Sequence, residues 1–246
     1  MKKYLFANWK MYLDVAESVA LARAFKNLKQ SSEISTAVFP SALAATSVVA
    51  ALQGSAIAVG AQNVYFVDKG GVTGEISAAM FQATGCEFAL VGHSERRHLF
   101  GETNHVVRQK IDAVVTTKII PVLCIGETKE QRDKNETAEV LEAQIRSAFT
   151  DVAWPAGRDF IIAYEPVWAI GTGAACEPEE AERIAGLVAS WTTALMGPEF
   201  ALIILYGGSV RPDNVSAYIN QTHISGVLVG AASTHEDSWQ AILEAL

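Results

Sequence analysis

Several side chains that can carry a proton or a charge fall at corresponding places along this chain. Asn8 and Lys10 follow the apolar run Tyr4–Ala7; His93, Ser94 and Glu95 follow Phe88–Val91; Glu165 follows Phe160–Tyr164. Gly207-Gly208-Ser209 comes after Leu202–Tyr206, and Gly230-Ala231-Ala232 after Val227–Val229. Among parallel strands, residues just past the C-terminal strand ends converge on one face. A carboxylate, an imidazole, a fixed cation and two turns with closely approachable backbone then share one mouth. That set suits removal of a proton beside a carbonyl in a small phosphorylated molecule. Singly, each residue has an ordinary role as a solvated lysine, a helix cap or a turn glycine; it is their joint placement that points to chemistry.

Other chemistries lack their residues. The chain has no GxxxxGK[ST], HExxH, GxSxG or EF-hand pattern. His93 and His98 are five residues apart, which places them on different faces of a helix and argues against a metal pair. Gly171-Thr172-Gly173 begins like a nucleotide loop but lacks the third glycine. A metal pair is not expected from these residues.

The elements that must position these groups alternate along the chain. Eight short runs read as strands: Tyr4–Ala7, Thr36–Phe39, Ala56–Val59, Phe88–Val91, Ile119–Cys124, Phe160–Tyr164, Leu202–Tyr206 and Val227–Val229. Most are continuously apolar, as expected of parallel strands buried on both faces. Between them lie about eight helical stretches, including Asp14–Lys29, Thr103–Thr117, Thr137–Thr150, Pro178–Leu195 and Asp213–Asn220; Asp14 and Thr103 are suited to cap theirs. Strict alternation fits an open doubly wound sheet or a closed (β/α)8 barrel. Ala7-Asn8-Trp9-Lys10 is not the Gly-rich turn of a dinucleotide fold, which favours the barrel, as a single domain over residues 1–246.

Composition narrows the partners. With 19 basic and 27 acidic residues the net charge is −8, and no run of like charge interrupts it, so a nucleic-acid surface is not expected. Half of the residues are hydrophobic and 19% are charged, as in a compact soluble protein. Residues 34–67 carry no Asp, Glu, Lys or Arg, but Pro40-Ser41, Gln53-Gly54 and Gly60-Ala61-Gln62-Asn63 cut them into pieces too short to span a bilayer. Cys86, Cys124 and Cys176 have no disulfide or zinc spacing. Asn8, Lys10 and Asp14 interrupt any signal-peptide core, so a cytoplasmic location is expected.

Nearly end to end, the chain resembles the triosephosphate isomerase family. The resemblance is carried by Phe6-Ala7-Asn8-Trp9-Lys10-Met11, Gly60-Ala61-Gln62-Asn63, Thr73-Gly74-Glu75, Val91-Gly92-His93-Ser94-Glu95-Arg96-Arg97 and Cys124-Ile125-Gly126-Glu127. Ala163 through Gly173 and Tyr206-Gly207-Gly208-Ser209-Val210 complete it. It implies interconversion of dihydroxyacetone phosphate and glyceraldehyde 3-phosphate without metal or organic cofactor, with Glu165 as base, a neutral His93 as electrophile, and Asn8 and Lys10 holding substrate oxygens and charge. Glu95 would position Lys10. Backbone N–H groups of Gly171, Ser209, Gly230 and Ala231 would grip the phosphate.

The resemblance further implies a lid made of Pro166, Val167, Trp168, Ala169, Ile170, Gly171, Thr172 and Gly173, which shields the intermediate from water. It also implies a homodimer joined through residues 62–75, with Thr73 at the tip of the arm. Ala231 stands where the family commonly has glycine, a change that is harmless if its φ is negative. Two other readings stay open from the residues alone: another phosphate-binding barrel enzyme, and a non-catalytic phosphosugar-binding protein.

Overall fold

The computed structural model describes residues 2–29, 31–155, 157–170, 175–197 and 200–246. Eight parallel strands close into a barrel in sequence order. They are β1 (Lys3–Asn8), β2 (Ile34–Phe39), β3 (Ala58–Ala61), β4 (Phe88–Val91), β5 (Ile120–Ile125), β6 (Phe160–Tyr164), β7 (Leu202–Tyr206) and β8 (Gly226–Val229). The ring shuts where Tyr4–Ala7 of β1 pair with Gly226–Val229 of β8, and β1 also pairs with β2 along its length. This is the expected (β/α)8 barrel.

Alternation along each strand makes two cores. Phe6 points into the barrel with Phe39, Phe88, Leu90, Val122, Ile161, Leu205 and Leu228. Leu5 and Ala7, its neighbours, face the helices with Val38, Val91, Leu123 and Ile162. The Phe6 ring centroid lies 5.5 Å from that of Phe39 and 5.0 Å from that of Phe88, so aromatic rings fill the barrel interior. Gly60 makes room for this packing, since a Cβ there would sit 2.2 Å from Phe39 Cε1.

Among the described residues there are ten α-helices rather than about eight. They are α1 (Val15–Asn27), α2 (Ala45–Leu52), α3 (Ala78–Thr84), α4 (Ser94–Leu99), α5 (Asn104–Val115), α6 (Lys129–Asp133), α7 (Thr137–Phe149), α8 (Pro178–Met196), α9 (Val215–Ile219) and α10 (Glu236–Glu244). Asp14 caps α1 in a reciprocal capping box with Glu17, and the Thr103 hydroxyl accepts from Val106 N–H at the start of α5. α6 buries no residue, so no apolar period announces it; it is held at its start by the capping box of Thr128 and Gln131. β3 lies two residues later than expected, because Gly60 and Ala61, poor strand formers alone, pair with Phe88 and Ala89.

The charge-free stretch 34–67 spans β2, α2, β3 and the start of the following loop. Among the described residues no helix is long and apolar enough to cross a membrane. Beyond β3, the loop over 62–75 buries Val64, stacks Tyr65 on Phe66, and folds back so that Tyr65 N–H donates to Ile76 O at 2.8 Å. Its turn, residues 68–71, is exposed.

Candidate active site

Asn8 ends β1, and the chain turns at once through Lys10, whose φ of +48° is unusual for a residue with a side chain. Three contacts hold that conformation. Asn8 Oδ1 accepts from Lys10 N–H at 3.0 Å, Gln62 Nε2 donates to Lys10 O at 2.7 Å, and Lys10 Nζ meets Glu95 Oε1 at 2.6 Å. Gln62 also donates to Phe39 O at 2.9 Å, which ties the turn to β2. The ammonium group is therefore fixed over the barrel mouth instead of swinging in solvent, at the price of a strained backbone.

His93 leaves β4 and caps α4. Its Nδ1 accepts from Glu95 N–H at 3.3 Å, so that nitrogen is bare and the ring proton sits on Nε2. Nε2 lies 3.1 Å from Glu165 Oε1, across the pocket from β6. The Glu165 side chain is almost wholly buried; Oε2 accepts from Ser94 N–H at 2.7 Å. Oε1 is buried as well, and despite its closeness to His93 it has no aligned hydrogen-bond donor among the described residues. One carboxylate oxygen is thus tethered and the other is unsatisfied and faces the pocket, an arrangement that favours a reactive group over a structural one.

Both glycines around Glu165 are needed for this placement. A Cβ at Gly126 would lie 1.8 Å from Glu165 O, and one at Gly207 would lie 2.9 Å from Glu165 Cγ. Arg97 braces the same region: it donates to Gly92 O (2.7 Å), Asn104 Oδ1 (2.8 Å) and Cys124 O (3.1 Å), which ties β4 to β5. Burial lowers the Arg97 pKa against the pull of nearby acids, Glu165 among them. Burial, with Glu165 beside it, pushes the Cys124 thiol well up, so it stays neutral in the barrel interior. Arg96 turns away and pairs with Glu102.

Asn8, Lys10, His93 and Glu165 line one cavity of about 360 Å³, together with Ile170, Ser209, Gly230 and Ala231. Glu95 reaches the site through Lys10. After β8 the chain enters a short 3-10 turn, Ala231–Thr234. Positive φ among the described non-glycine residues occurs at Lys10, Asn135 and Asp151, so Ala231 keeps ordinary backbone and its methyl costs no strain.

Of the expected lid, Pro166 leads into a 3-10 turn, Val167–Ala169, and Ile170 reaches the cavity; Gly171, Thr172 and Gly173 lie outside the described residues. The turn is anchored at both edges. Trp168 Nε1 donates to Glu127 Oε1 at 2.8 Å, and Ser209 Oγ donates to Ala169 O at 2.6 Å.

Sequence reasoning did not single out Gln62, Glu127, Gly207 or Arg211 as individual site residues. Gln62, Glu127 and Gly207 sat inside motifs already noted, but what they do rests on particular side-chain and steric contacts, which spacing does not reveal. Arg211 lies two residues past Ser209, at the rim of the same cavity.

A sequence model of the family described as triosephosphate isomerase matches residues 3–246. The protein named triosephosphate isomerase from Carboxydothermus hydrogenoformans is 41% identical over 99% of this chain and 98% of its own length. Those of the same name from Endomicrobium trichonymphae and Acaryochloris marina are each 41% identical over 99% of this chain and 99% of their own. Near-complete coverage in both directions, together with a closed eight-stranded barrel, leads to one conclusion: the chain belongs to the triosephosphate isomerase family.

Proposed function

We propose that the chain interconverts dihydroxyacetone phosphate and D-glyceraldehyde 3-phosphate by proton transfer through an enediolate, as a step of glycolysis and gluconeogenesis. The observation that carries this reading is the unsatisfied Glu165 Oε1, buried 3.1 Å from the protonated nitrogen of His93 in a cavity edged by Lys10. Glu165 takes the proton from the carbon beside the carbonyl. The electron pair of that C–H bond forms the new carbon–carbon double bond, and negative charge moves to the carbonyl oxygen. His93 Nε2–H donates to that oxygen, and Lys10 and Asn8 stabilise the developing charge from fixed positions. The proton of the hydroxyl on the deprotonated carbon passes by way of His93 Nε2 to the former carbonyl oxygen, and as Glu165 returns its proton to the neighbouring carbon the new carbonyl forms, so atoms and charge balance between substrate and side chains.

Main-chain N–H groups of Ser209, Gly230 and Ala231, with Gly171 from the lid, hold the phosphate in this reading, because glycine and small residues let backbone approach an anion. Closure of 166–173 excludes water while the enediolate exists. The protein works as a cytoplasmic homodimer of single-domain subunits. Met11, Leu43, Leu99 and Phe100 support this, since they are 95%, 86%, 75% and 67% exposed on one chain, an apolar surface that a second subunit would cover. The 62–75 arm is the docking element. A monodisperse, fully active monomer at micromolar concentration in analytical ultracentrifugation would overturn the dimer.

The activity is tested with glyceraldehyde 3-phosphate in a coupled assay on wild type and Glu165→Ala. Turnover by wild type that falls by at least about a thousandfold in the variant supports the reading; equal rates would remove Glu165 from the mechanism. A phosphosugar binder without catalysis would show no turnover in either protein.

A further inference from the structure

The substrate proposed above is a dianion, yet the chain carries 27 acidic against 19 basic residues, a net charge of −8. Among the described residues the cationic side chains lining the cavity are Lys10 and Arg211. Lys10 is already met by Glu95 at 2.6 Å. Among the described residues Arg211 meets a loose partner, Asp213. Its Nε lies 3.0 Å from Asp213 Oδ1 and its Nη2 3.4 Å from Asp213 Oδ2, but the two side chains are 47% and 71% exposed. Exposed pairs of this kind hold weakly and exchange readily.

The backbone beneath that guanidinium is held more firmly. Asn214 Oδ1 accepts from Arg211 N–H at 2.8 Å, while Asn214 Nδ2 donates to Ser209 O at 3.0 Å. One amide side chain thus staples Arg211 to Ser209, and Ser209 in turn reaches the lid turn through Ala169 O. The result is an exposed cation on a fixed base, at the rim of the cavity that Ser209 lines.

We propose that Arg211 is a specificity-determining residue of this site: its charge draws the phosphate dianion to the mouth and favours it over uncharged substrates, and Asp213 moderates that charge. Arg211 moves no proton. The proposal rests on the triose phosphate reading and adds a residue to it. Unscreened charge acts across the whole mouth at low salt, where the Debye length is about 30 Å at 0.01 M, and over only a few ångström near 0.5 M.

The test measures kcat and KM for glyceraldehyde 3-phosphate with wild type, Arg211→Gln and Asp213→Asn, from about 0.01 to 0.5 M ionic strength. Unphosphorylated glyceraldehyde serves as the neutral control. Arg211→Gln is expected to lose about three- to fivefold in kcat/KM at low salt and less than about 1.5-fold at high salt. That loss falls mainly in KM, and the glyceraldehyde rate does not follow it. Asp213→Asn moves kcat/KM the other way, by about twofold, at low salt. A loss in Arg211→Gln that is independent of salt, or equal for glyceraldehyde, would overturn the proposal, as would the absence of any low-salt change in both variants. Absence of turnover by wild type would instead remove the triose phosphate reading, and this inference with it.

Discussion

Replacing Gly207 with alanine displaces the candidate base without touching its chemistry. The Gly207 backbone lies outside the left-handed region, so an added methyl brings no conformational strain of its own. That methyl would lie 2.9 Å from Glu165 Cγ and 3.3 Å from Tyr164 O. Carbon atoms in contact prefer about 3.5–4.0 Å, so the Glu165 side chain must retreat by roughly 0.6–1.1 Å. Tyr164 O belongs to the β6 backbone, which is paired with β7 through Tyr164 and Tyr206, and it is the Glu165 side chain that gives way. Displacement on the order of 1 Å costs a positioned catalytic group about a hundredfold in rate. Gly207→Ala is therefore expected to lower kcat by about 30- to 100-fold in the coupled assay. Overpacking costs about 1–3 kcal/mol, which at this chain length lowers Tm by roughly 2–12 °C and leaves the protein folded. A folded Gly207→Ala protein with kcat within threefold of wild type would refute the claim that the Glu165 position matters to the chemistry.

Two further outcomes follow from buried carboxyl groups. Lys110, almost wholly buried, donates to Glu102 and, at 2.6 Å, to Asn63 Oδ1; Lys110→Met leaves the buried Glu102 with Arg96 alone and is expected to cost about 3 kcal/mol, seen as a Tm lowered by roughly 6–12 °C. Adding Glu102→Gln should recover part of that loss, and a single-variant Tm within 2 °C of wild type would contradict the argument. Burial raises the Glu127 pKa above its ordinary 4.5, opposed by hydrogen bonds from Trp168 and Tyr164. A raised folded pKa gives stability that is present at low pH and lost as pH climbs through it, so wild type should lose ground to Glu127→Gln in urea unfolding as pH rises above about 4.5. A stability difference that stays flat, or moves the other way, would show that Glu127 is not penalised for its charge.

Strands whose apolar run is unbroken were legible almost to the residue: Phe88–Val91, Phe160–Tyr164 and Leu202–Tyr206 are the observed β4, β6 and β7. β3 lies two residues beyond its apolar run because Gly60 and Ala61 pair with Phe88 and Ala89, a contact between strands that local composition does not encode. α6 escaped notice because a helix with no buried face has no apolar period to read. Asn8, Lys10, His93 and Glu165 were legible because strand ends of a parallel barrel must converge. What spacing could not supply was the division of labour within Glu165, one oxygen bound to Ser94 N–H and the other unsatisfied, which depends on Gly126 and Gly207 making room for it.

In the proposed reaction a single carboxylate lifts a carbon-bound proton and hands it back one carbon along. Running the isomerisation of glyceraldehyde 3-phosphate in D2O and reading the product by NMR tests it most directly. Wild-type product is expected to carry deuterium on the carbon that receives the proton, because a proton held by a carboxylate exchanges with solvent, and Glu165→Gln is expected to give no product above background. Wild-type turnover with no deuterium at that carbon, or deuterium delivered at an undiminished rate by Glu165→Gln, would contradict it.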